Sequence, residues 1–287
     1  MDENSDIFFH GGAYGIVYYL GVLSKLKKPS KTAKIYGVSA GSLVAMMYLL
    51  GFSRKRQYKL MDYIMDNSID RIITDPFNID SYVITHCHYY VLKKLIDKYP
   101  DAYKTLTGRL YIGISTIDYK TRKLGFEWKS DFKDNTELCH YLMCGFHIPY
   151  ICSYSSKLSN NCYAMDGVLM LDENKDLPRH VIKIGLYDKY TLYRTKYYHV
   201  HNTIPIHHCL MPITRYYREK YFDMGKNDME TFIKENKGKN GIPKSPKNMN
   251  IDKLSFVYKA ELSAILRLIQ KTSDAYTIDT LREYLEC

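Results

Sequence analysis

The sequence contains a serine with the neighbours that a catalytic nucleophile needs. Ser39 is the centre of a G-x-S-x-G pattern that runs from Gly37 to Gly41, between two apolar runs. The small flanking residues allow a sharp turn from strand to helix, which presents the serine hydroxyl at the helix N terminus. The helix dipole and the free N–H groups there favour developing negative charge. Ser39 is therefore the candidate nucleophile, and the alternative is a turn that only packs tightly.

A glycine-rich segment near the start of the chain could supply the second requirement of such a reaction. Residues 10–15 read His-Gly-Gly-Ala-Tyr-Gly and lie between an apolar run at 7–9 and a helical pattern. Backbone N–H groups of successive glycines can approach a reacting carbonyl because no Cβ blocks them. Two such donors suit a tetrahedral oxyanion. A phosphate cradle is the alternative, but the segment lacks both the G-K-S/T of the P-loop and a complete G-x-G-x-x-G.

The position of Ser39 argues against an α/β-hydrolase. That fold builds several strands before its nucleophile and then places an acid and a histidine after it. Only 38 residues precede Ser39, which is room for about one strand–helix unit. The histidines that could complete a triad are His199, His201, His207 and His208. The shortage of sheet ahead of the serine points instead to a serine hydrolase whose oxyanion hole comes early in the chain.

The elements around these motifs alternate between strands and helices, which predicts an α/β fold with a mainly parallel central sheet flanked by helices. Strands are predicted at 7–9, 34–38, 109–118, 123–128, 163–167 and 180–187. Helices are predicted from residue 16 to Pro29 and at 40–51, 54–69, 86–99, 136–143 and 251–271. The chain from Pro205 onward reads as mostly helical. A Lys-, Asn-, Gly- and Pro-rich stretch at 234–250 is typical of a flexible loop.

The composition describes a basic chain that can form a large core. Lys and Arg number 41 against 31 Asp and Glu, so the formal net charge is +10, and 46% of the residues are hydrophobic. The excess of cations favours contact with acidic lipid headgroups or nucleic acid, and a plain solvated surface is the alternative. Basic clusters occur at 25–31, 54–56 and 234–247, without a known nucleic-acid-binding module beside them.

The cysteines and the chain start indicate the compartment. Seven cysteines without paired spacing suit a reduced protein. The first residues are acidic where a secretory signal would be basic, and no apolar run approaches the ~20 residues of a membrane span. We therefore expect an intracellular, cytoplasmic protein without a signal peptide or transmembrane segment. Paired histidines such as His86 and His88 lack the helical spacing of metal ligands, so no metal site is expected.

Three motifs, taken in order, resemble those of the patatin-like phospholipase family. Its members carry a G-G-G-x-R/K-G loop, a G-x-S-x-G elbow and a later D-G-G/A. The corresponding segments here are residues 10–15, aligned on Gly15, residues 37–41 and Asp166-Gly167-Val168. The segment at 144–154 also resembles the family's small-residue stretch ahead of the aspartate. The resemblance spans residues 6–187, and three ordered motifs make it far more specific than any single one.

Three positions depart from the family pattern. His10 replaces the first glycine, Tyr14 replaces the usual Arg or Lys, and Val168 replaces a small residue. Animal members of the family also lack the basic residue, so Tyr14 alone does not argue for inactivity. His10 precedes the two glycines that are expected to donate hydrogen bonds. Val168 is the departure that could crowd the site.

The resemblance implies a Ser–Asp dyad in place of a triad. Asp166 would accept the Ser39 proton directly, Ser39 would attack an acyl ester, and the N–H groups of Gly11, Gly12 and Ala13 would hold the oxyanion. Water would then hydrolyse the acyl-enzyme, with Asp166 again as the base. No metal or organic cofactor enters this scheme. The glycines that support the motifs are Gly15, Gly37, Gly41 and Gly167.

The resemblance implies a lipid acyl hydrolase, that is a phospholipase, lysophospholipase or acylglycerol lipase, in peripheral contact with anionic membrane surfaces. The expected organisation is a catalytic core at 6–187 and a mostly helical C-terminal extension at 188–287 that packs on the core. The first alternative is a catalytically weak relative that binds lipid or a protein partner through the same cleft. The second is a nucleic-acid-binding protein, which would show steeply salt-dependent binding and no esterase activity.

Overall fold

One mixed sheet organises the described part of the chain. The computed structural model describes residues 5–74, 92–93, 96–118, 120–147, 157–159, 161–186, 204 and 213–235. The strands are β1 (Ile7–Phe9), β2 (Ile35–Val38), β3 (Leu110–Asp118), β4 (Lys123–Lys129), β5 (Cys162–Asp166) and β6 (Ile182–Ile184). They lie in the order β4-β3-β2-β1-β6, and β5 pairs with β3 off this path.

The centre of the sheet is parallel. β1 pairs in parallel with both β2 and β6, and β2 pairs in parallel with β3. β4 and β5 run antiparallel to β3. The predicted α/β fold with a mainly parallel central sheet flanked by helices is therefore confirmed.

Helices cover the sheet and connect its strands. They are α1 (Ile16–Leu23), α2 (Ala40–Leu49), α3 (Arg54–Thr74), α4 (Ala102–Leu106), α5 (Asn135–Gly145), α6 (Glu173–Asp176) and α7 (Arg215–Glu235). A 3-10 turn at Ala13–Gly15 leads into α1, and a second one at Gly167–Leu169 follows β5. All eight residues of α1 and nine of the ten in α2 are buried, as expected for helices that pack directly on a sheet.

Alternation along β1 supplies apolar side chains to both faces of the sheet. Ile7 and Phe9 belong to the large core that includes α1 and α2. Phe8 points to the other face, where it packs with Tyr36 and Val38 in a smaller cluster. Because side chains of a strand alternate with a period of two, three apolar residues in succession indicate a strand that is buried on both faces.

Two strands meet end to end along one edge of β3. β2 pairs with the first part of β3, where Val38 lies opposite Gly113, and β5 pairs with the second part, where Asp166 lies opposite Ile114. Because β2 is parallel to β3 and β5 is antiparallel, the carboxyl ends of β2 and β5 converge. The next residue after β2 is Ser39. The topology thus brings Ser39 close to Asp166, a residue far away in the sequence.

The differences from the predicted elements lie mainly at their ends. α1 ends at Leu23 rather than near Pro29, because the N–H and the hydroxyl of Ser24 both donate to the Gly21 carbonyl and tighten the last turn. β6 is short because its partner β1 offers only three residues. α3 continues past residue 69 to Thr74.

Other predictions can be compared only in part. The helix predicted at 136–143 is present as α5, and the Asp134 side chain caps it by accepting the Glu137 N–H at 2.8 Å. Of the helix predicted at 86–99, residues 92–93 and 96–99 are described: 92–93 and 96–97 are helical, whereas Lys98 and Tyr99 lie beyond the helix. Lys234 and Glu235, the first two residues of the loop predicted at 234–250, belong to α7 instead. Its remaining residues and the helix predicted at 251–271 lie outside the described residues.

The helix α7 packs closely on α1. A Cβ on Gly21 would overlap the carbonyl oxygen of Phe222, and a Cβ on Gly225 would overlap the carbonyl oxygen of Tyr18. Glycine at both positions therefore lets the two backbones touch. One turn before Phe222 on α7, the Arg218 guanidinium bonds to two carboxylates of α3, those of Asp62 and Asp66. These contacts join α7 to the elements that carry the sheet.

Candidate active site

Ser39 occupies the predicted turn between β2 and α2. Its backbone has φ 51° and ψ −135°, a conformation that costs a residue with a Cβ on the order of 1–3 kcal/mol. A Cβ on Gly41 would overlap the carbonyl oxygen of Phe9, so this glycine allows the turn to lie against β1. The Ser42 hydroxyl donates to the Gly37 carbonyl at 2.8 Å and closes the turn from inside. The strained turn presents Ser39 at the N terminus of α2.

Asp166 ends β5 with its carboxyl group buried, and only 4% of the residue is exposed. Burial raises the pKa of this carboxyl to about 6, and hydrogen bonding with the Ser39 side chain and with the Val168 N–H lowers it in part. The Val168 N–H donates to Asp166 Oδ1 at 2.9 Å. A carboxyl with this pKa is mostly ionised at neutral pH and is a stronger base than an ordinary aspartate.

The backbone of Asp166 is fixed by residues that the sequence analysis does not single out. Its N–H donates to the His147 carbonyl at 2.6 Å, and its own carbonyl accepts from the Ser115 hydroxyl at 2.8 Å. The Met170 N–H in turn donates to Ser115 Oγ at 3.1 Å. Ser115 therefore links β3, the end of β5 and the turn that follows. Its one sequence signal is a small polar residue within a buried strand.

The glycine-rich loop lies against Ser39. A Cβ on Gly11 would lie 3.1 Å from Ser39 Cβ and 3.8 Å from its Oγ, so glycine lets the loop come this close. Gly12 precedes the 3-10 turn that contains Ala13 (φ 42°) and ends at Gly15. Within the described part of the chain, the N–H groups of Gly11, Gly12 and Ala13 donate to no acceptor. Gly11 thus touches the serine, and the three N–H groups of this loop remain available as donors.

The three departures from the family pattern all lie in or against this loop. Val168 covers Gly11, with its Cγ2 2.5 Å from the place of a Gly11 Cβ. Tyr14 is buried within the 3-10 turn. His10 is 1% exposed, and its Nε2 lies 3.9 Å from Glu173 Oε1. Because burial lowers the pKa of His10, its ring is neutral near pH 7.

Two of the glycines that are predicted to support the motifs lie beside Ser39 and Asp166 in the sequence. Gly37 lies in β2, and Gly167 begins the 3-10 turn directly after Asp166. Of the segment predicted at 144–154, residues 144–147 are described. The histidines that could complete a triad, at 199, 201, 207 and 208, lie outside the described residues, as do His86 and His88.

The described residues offer little to a metal ion. They contain no group of three or more His, Cys, Asp or Glu side chains that could hold one. Burial raises the pKa of both Cys139 and Cys144 to about 12, which makes these thiols weak nucleophiles at neutral pH. No helix in the described ranges has the length and apolar character needed to cross a membrane.

A strained serine between a parallel strand and a helix, in contact with a glycine loop, is typical of a serine hydrolase built on an α/β sheet. Comparison with known families identifies the family within this class. The family model for patatin-like phospholipase matches residues 7–173, which is more than half of the chain. The chain belongs to the patatin-like phospholipase family, a family of lipid acyl hydrolases. The family resemblance seen in the sequence is thereby confirmed.

Comparisons with individual proteins add the following. The structure is similar to the crystal structure of VipD from Legionella pneumophila, with a TM-score of 0.46 and 13% sequence identity. That similarity covers 99% of this chain and 79% of the other. A comparison with curated protein sequences gives no match.

Proposed function

We propose that this protein is a lipid acyl hydrolase in which Ser39 is the nucleophile and Asp166 is the general base. The observation that carries the proposal is the junction of β2 and β5, where the Ser39 side chain meets a buried carboxyl with a pKa of about 6. Family membership supports a lipid substrate. The available N–H groups of Gly11, Gly12 and Ala13 support an oxyanion hole. The substrate is an acyl ester: a phospholipid, a lysophospholipid or an acylglycerol.

In the first step, Ser39 Oγ attacks the ester carbonyl carbon while the Asp166 carboxylate takes the hydroxyl proton. The carbonyl oxygen becomes an oxyanion, which accepts hydrogen bonds from the N–H groups of the glycine loop. The tetrahedral intermediate then expels the alcohol oxygen, which takes the proton from Asp166 as it leaves. The product of this step is an ester of the fatty acid with Ser39.

In the second step, a water molecule attacks the acyl-enzyme. Asp166 accepts a proton from the water and, as the intermediate collapses, returns it to Ser39 Oγ. The products are the free carboxylic acid and the regenerated serine. The same three N–H groups stabilise the second oxyanion, so one hole serves both steps.

The proposal extends to the organisation of the chain and to its surroundings. The core at 6–187 carries the chemistry, and the extension at 188–287 packs on it, which the contact of Gly225 with Tyr18 of α1 supports. Because the substrate is a lipid, the protein makes peripheral contact with membranes. Its net charge of +10 favours anionic ones.

A second candidate is a catalytically weak member of the family that binds lipid or a protein partner through the same cleft. Val168 favours this candidate, because its side chain covers Gly11 where the family pattern has a small residue. The two candidates use the same cleft and differ in turnover.

Labelling and turnover separate them. Wild-type protein is expected to react with a fluorophosphonate probe and to hydrolyse a short-chain nitrophenyl ester. Ser39→Ala should lose labelling, and Asp166→Asn should lower kcat about 10³-fold or more. Ser24→Ala, at the end of α1, is the matched control and should behave as wild type.

Three results would change this proposal. Equal labelling of Ser39→Ala would remove Ser39 as the nucleophile. Undiminished turnover by Asp166→Asn would remove Asp166 as the base. Lipid binding by a wild-type protein without turnover would favour the second candidate.

A further inference from the structure

Two buried side chains hold the carbonyl group of Gly11. The Tyr19 hydroxyl donates to this carbonyl at 3.2 Å, and His10 Nδ1 lies 3.2 Å from the same oxygen. A carbonyl oxygen can only accept, so the bond from His10 requires the ring proton on Nδ1. Tyr19 is 0% exposed. Tyr19 approaches the carbonyl from the core, and His10 approaches it from the start of the loop itself.

The geometry of the peptide bond links this carbonyl to a proposed oxyanion donor. The Gly11 carbonyl and the Gly12 N–H belong to one planar trans peptide, so they point in opposite directions. A carbonyl held towards Tyr19 and His10 therefore turns the Gly12 N–H to the other side. That N–H donates to no acceptor in the described part of the chain. Gly11, on the same peptide, is in contact with Ser39.

We propose that Tyr19 and His10 are positioning residues, which hold the Gly11 carbonyl so that the Gly12 N–H faces the reacting oxygen. The inference rests on the proposed function, because it assigns the orientation of one donor in that oxyanion hole. A loop with two successive glycines has unusual backbone freedom. Side-chain hydrogen bonds are therefore needed to fix the direction of its N–H groups. This role also explains why the chain has a histidine at position 10, where the family pattern has a glycine: the ring supplies a hydrogen-bond donor.

Contacts from three elements surround His10. Its backbone N–H donates to the Ile184 carbonyl of β6 at 2.9 Å. Its ring packs edge-on against Phe8, with centroids 5.9 Å apart. On the Nε2 side lies Glu173 of α6, whose other carboxylate oxygen pairs with Lys183 at 3.1 Å. The fixed backbone of His10 and the edge-on contact with Phe8 keep Nδ1 beside the Gly11 carbonyl.

Neighbouring tyrosines of α1 provide a matched pair of variants. Tyr19→Phe removes the hydroxyl that bonds the Gly11 carbonyl. Tyr18→Phe removes an equally buried hydroxyl that donates to Asp228 Oδ2 at 2.9 Å, away from the loop. Both should lower Tm by a similar amount. Only Tyr19→Phe should lower kcat, roughly 10-fold with KM nearly unchanged, because loss of a whole oxyanion donor lowers it 10²–10³-fold.

Two substitutions of His10 test the second donor by loss and rescue. His10→Leu removes the donor and should lower kcat by about 10-fold, with KM nearly unchanged. His10→Asn places a side-chain amide near the position of Nδ1 and should retain most of the wild-type kcat. Combined with Tyr19→Phe, His10→Leu should lower kcat about 100-fold. Equal kcat values for His10→Leu and His10→Asn would contradict the role of the ring nitrogen.

A measurement independent of turnover tests the orientation of the peptide. In protein labelled with 15N-glycine, the Gly12 amide signal is identified by its loss in Gly12→Ala. Its 15N shift responds to hydrogen bonding at the Gly11 carbonyl, so it should move in Tyr19→Phe and stay in Tyr18→Phe. An unmoved signal overturns the inference, and so does a moved signal with kcat unchanged. A moved signal in a protein whose wild type has no turnover supports the orientation and overturns the proposed function instead.

Discussion

At the scale of single residues, the burial of Asp166 has two effects. It gives the carboxyl group a pKa that suits a general base, and it lowers the stability of the folded protein. Burial raises the pKa of its carboxyl from a usual value near 4 to about 6, which corresponds to roughly 3 kcal/mol against the buried anion. The folded carboxyl therefore binds its proton more tightly than the unfolded one. The resulting loss of stability is absent below about pH 4, grows between pH 4 and 6, and is complete above pH 6.

Asp166→Asn should therefore stabilise the protein at high pH while it abolishes turnover. We expect the free energy of unfolding to rise by about 1–3 kcal/mol at pH 8 and to change little at pH 4. Urea denaturation at the two pH values measures the difference. Asp118→Asn is the control, because hydrogen bonds from Thr121 hold the pKa of that exposed carboxyl below its usual value. A gain at pH 8 from both variants would show that the burial of Asp166 is not the cause.

The same pKa predicts how turnover depends on pH. Asp166 must be ionised to accept the Ser39 proton, so kcat/KM should rise with pH and reach half of its plateau near pH 6. Initial rates on a nitrophenyl ester between pH 4.5 and 8.5 measure this profile. The rate of fluorophosphonate labelling should follow the same curve. A midpoint near pH 4 would mean that the carboxyl acting as base is not a buried one.

Residue types explain which parts of the site the sequence predicts. Ser39 and Asp166 stand in motifs whose neighbours are chemically constrained, so both can be found from sequence. Ser115 and Tyr19 act on backbone carbonyls. Any residue can offer a carbonyl, so no pattern in the sequence marks such a contact, and only the fold reveals it.

At the scale of elements, the family resemblance implies that Ser39 and Asp166 meet, but the apolar pattern does not predict the strand pairing that brings β2 and β5 together. The apolar pattern predicts a strand at 163–167, but strand patterns do not specify a partner or a direction. The antiparallel pairing of β5 with β3 depends on how the preceding segment returns to the sheet. Ser115 stabilises that arrangement, because its hydroxyl bonds both the end of β5 and the turn after it.

Ser115→Ala should loosen this junction. It leaves the buried Asp166 carbonyl without its hydroxyl donor, so we expect the free energy of unfolding to fall by about 1–3 kcal/mol. We also expect kcat to fall about 10-fold, with KM unchanged, because a small misplacement of a catalytic group lowers the rate. Ser24→Ala, which loses a hydroxyl bond to Gly21 at the end of α1, is the control for stability and should leave kcat unchanged. Unchanged kcat in Ser115→Ala would restrict this hydroxyl to a structural role.

At the scale of the whole molecule, the folded unit extends beyond the part of the chain that the family model matches. The match ends at residue 173, whereas β6 and α7 lie beyond it and pack on the matched part. β6 completes the sheet beside β1, and α7 covers α1 through the contacts of Gly21 and Gly225. Residues outside the family pattern thus stabilise the elements that carry the glycine loop.

Two groups of exposed cations lie at opposite ends of the sheet. The loop cations (Lys27, Lys28 and Lys31) follow the C-terminal end of α1, and the Tyr48 hydroxyl of α2 donates to the Lys27 carbonyl at 2.7 Å. Ser39 is at the opposite end of α2, and ten helical residues rise about 15 Å. A membrane against the loop cations would therefore lie at the far end from the serine.

A second cluster of cations lies at the same end of the sheet as Ser39. β3 continues from Gly113, beside the serine, to Asp118, and the hairpin to β4 follows there. The hairpin cations (Lys120, Arg122 and Lys123) are exposed at this turn. Five residues of strand extend about 17 Å, so the hairpin projects beyond the site. A membrane that presents its lipid to Ser39 would meet these side chains first.

Charge-reversal variants test which of the two basic surfaces faces the membrane. Replacing all three hairpin cations by Glu should lower turnover of phospholipid in anionic vesicles by roughly 10- to 100-fold, because each cation near such a surface contributes about 1 kcal/mol. The same variant should hydrolyse a short nitrophenyl ester at the wild-type rate, since none of these residues touches the site. Replacing the three loop cations by Glu is the matched control and should leave both rates unchanged. Loss of vesicle turnover in the loop variant alone would place the membrane at the opposite end of the sheet and require the lipid to reach Ser39 by another route.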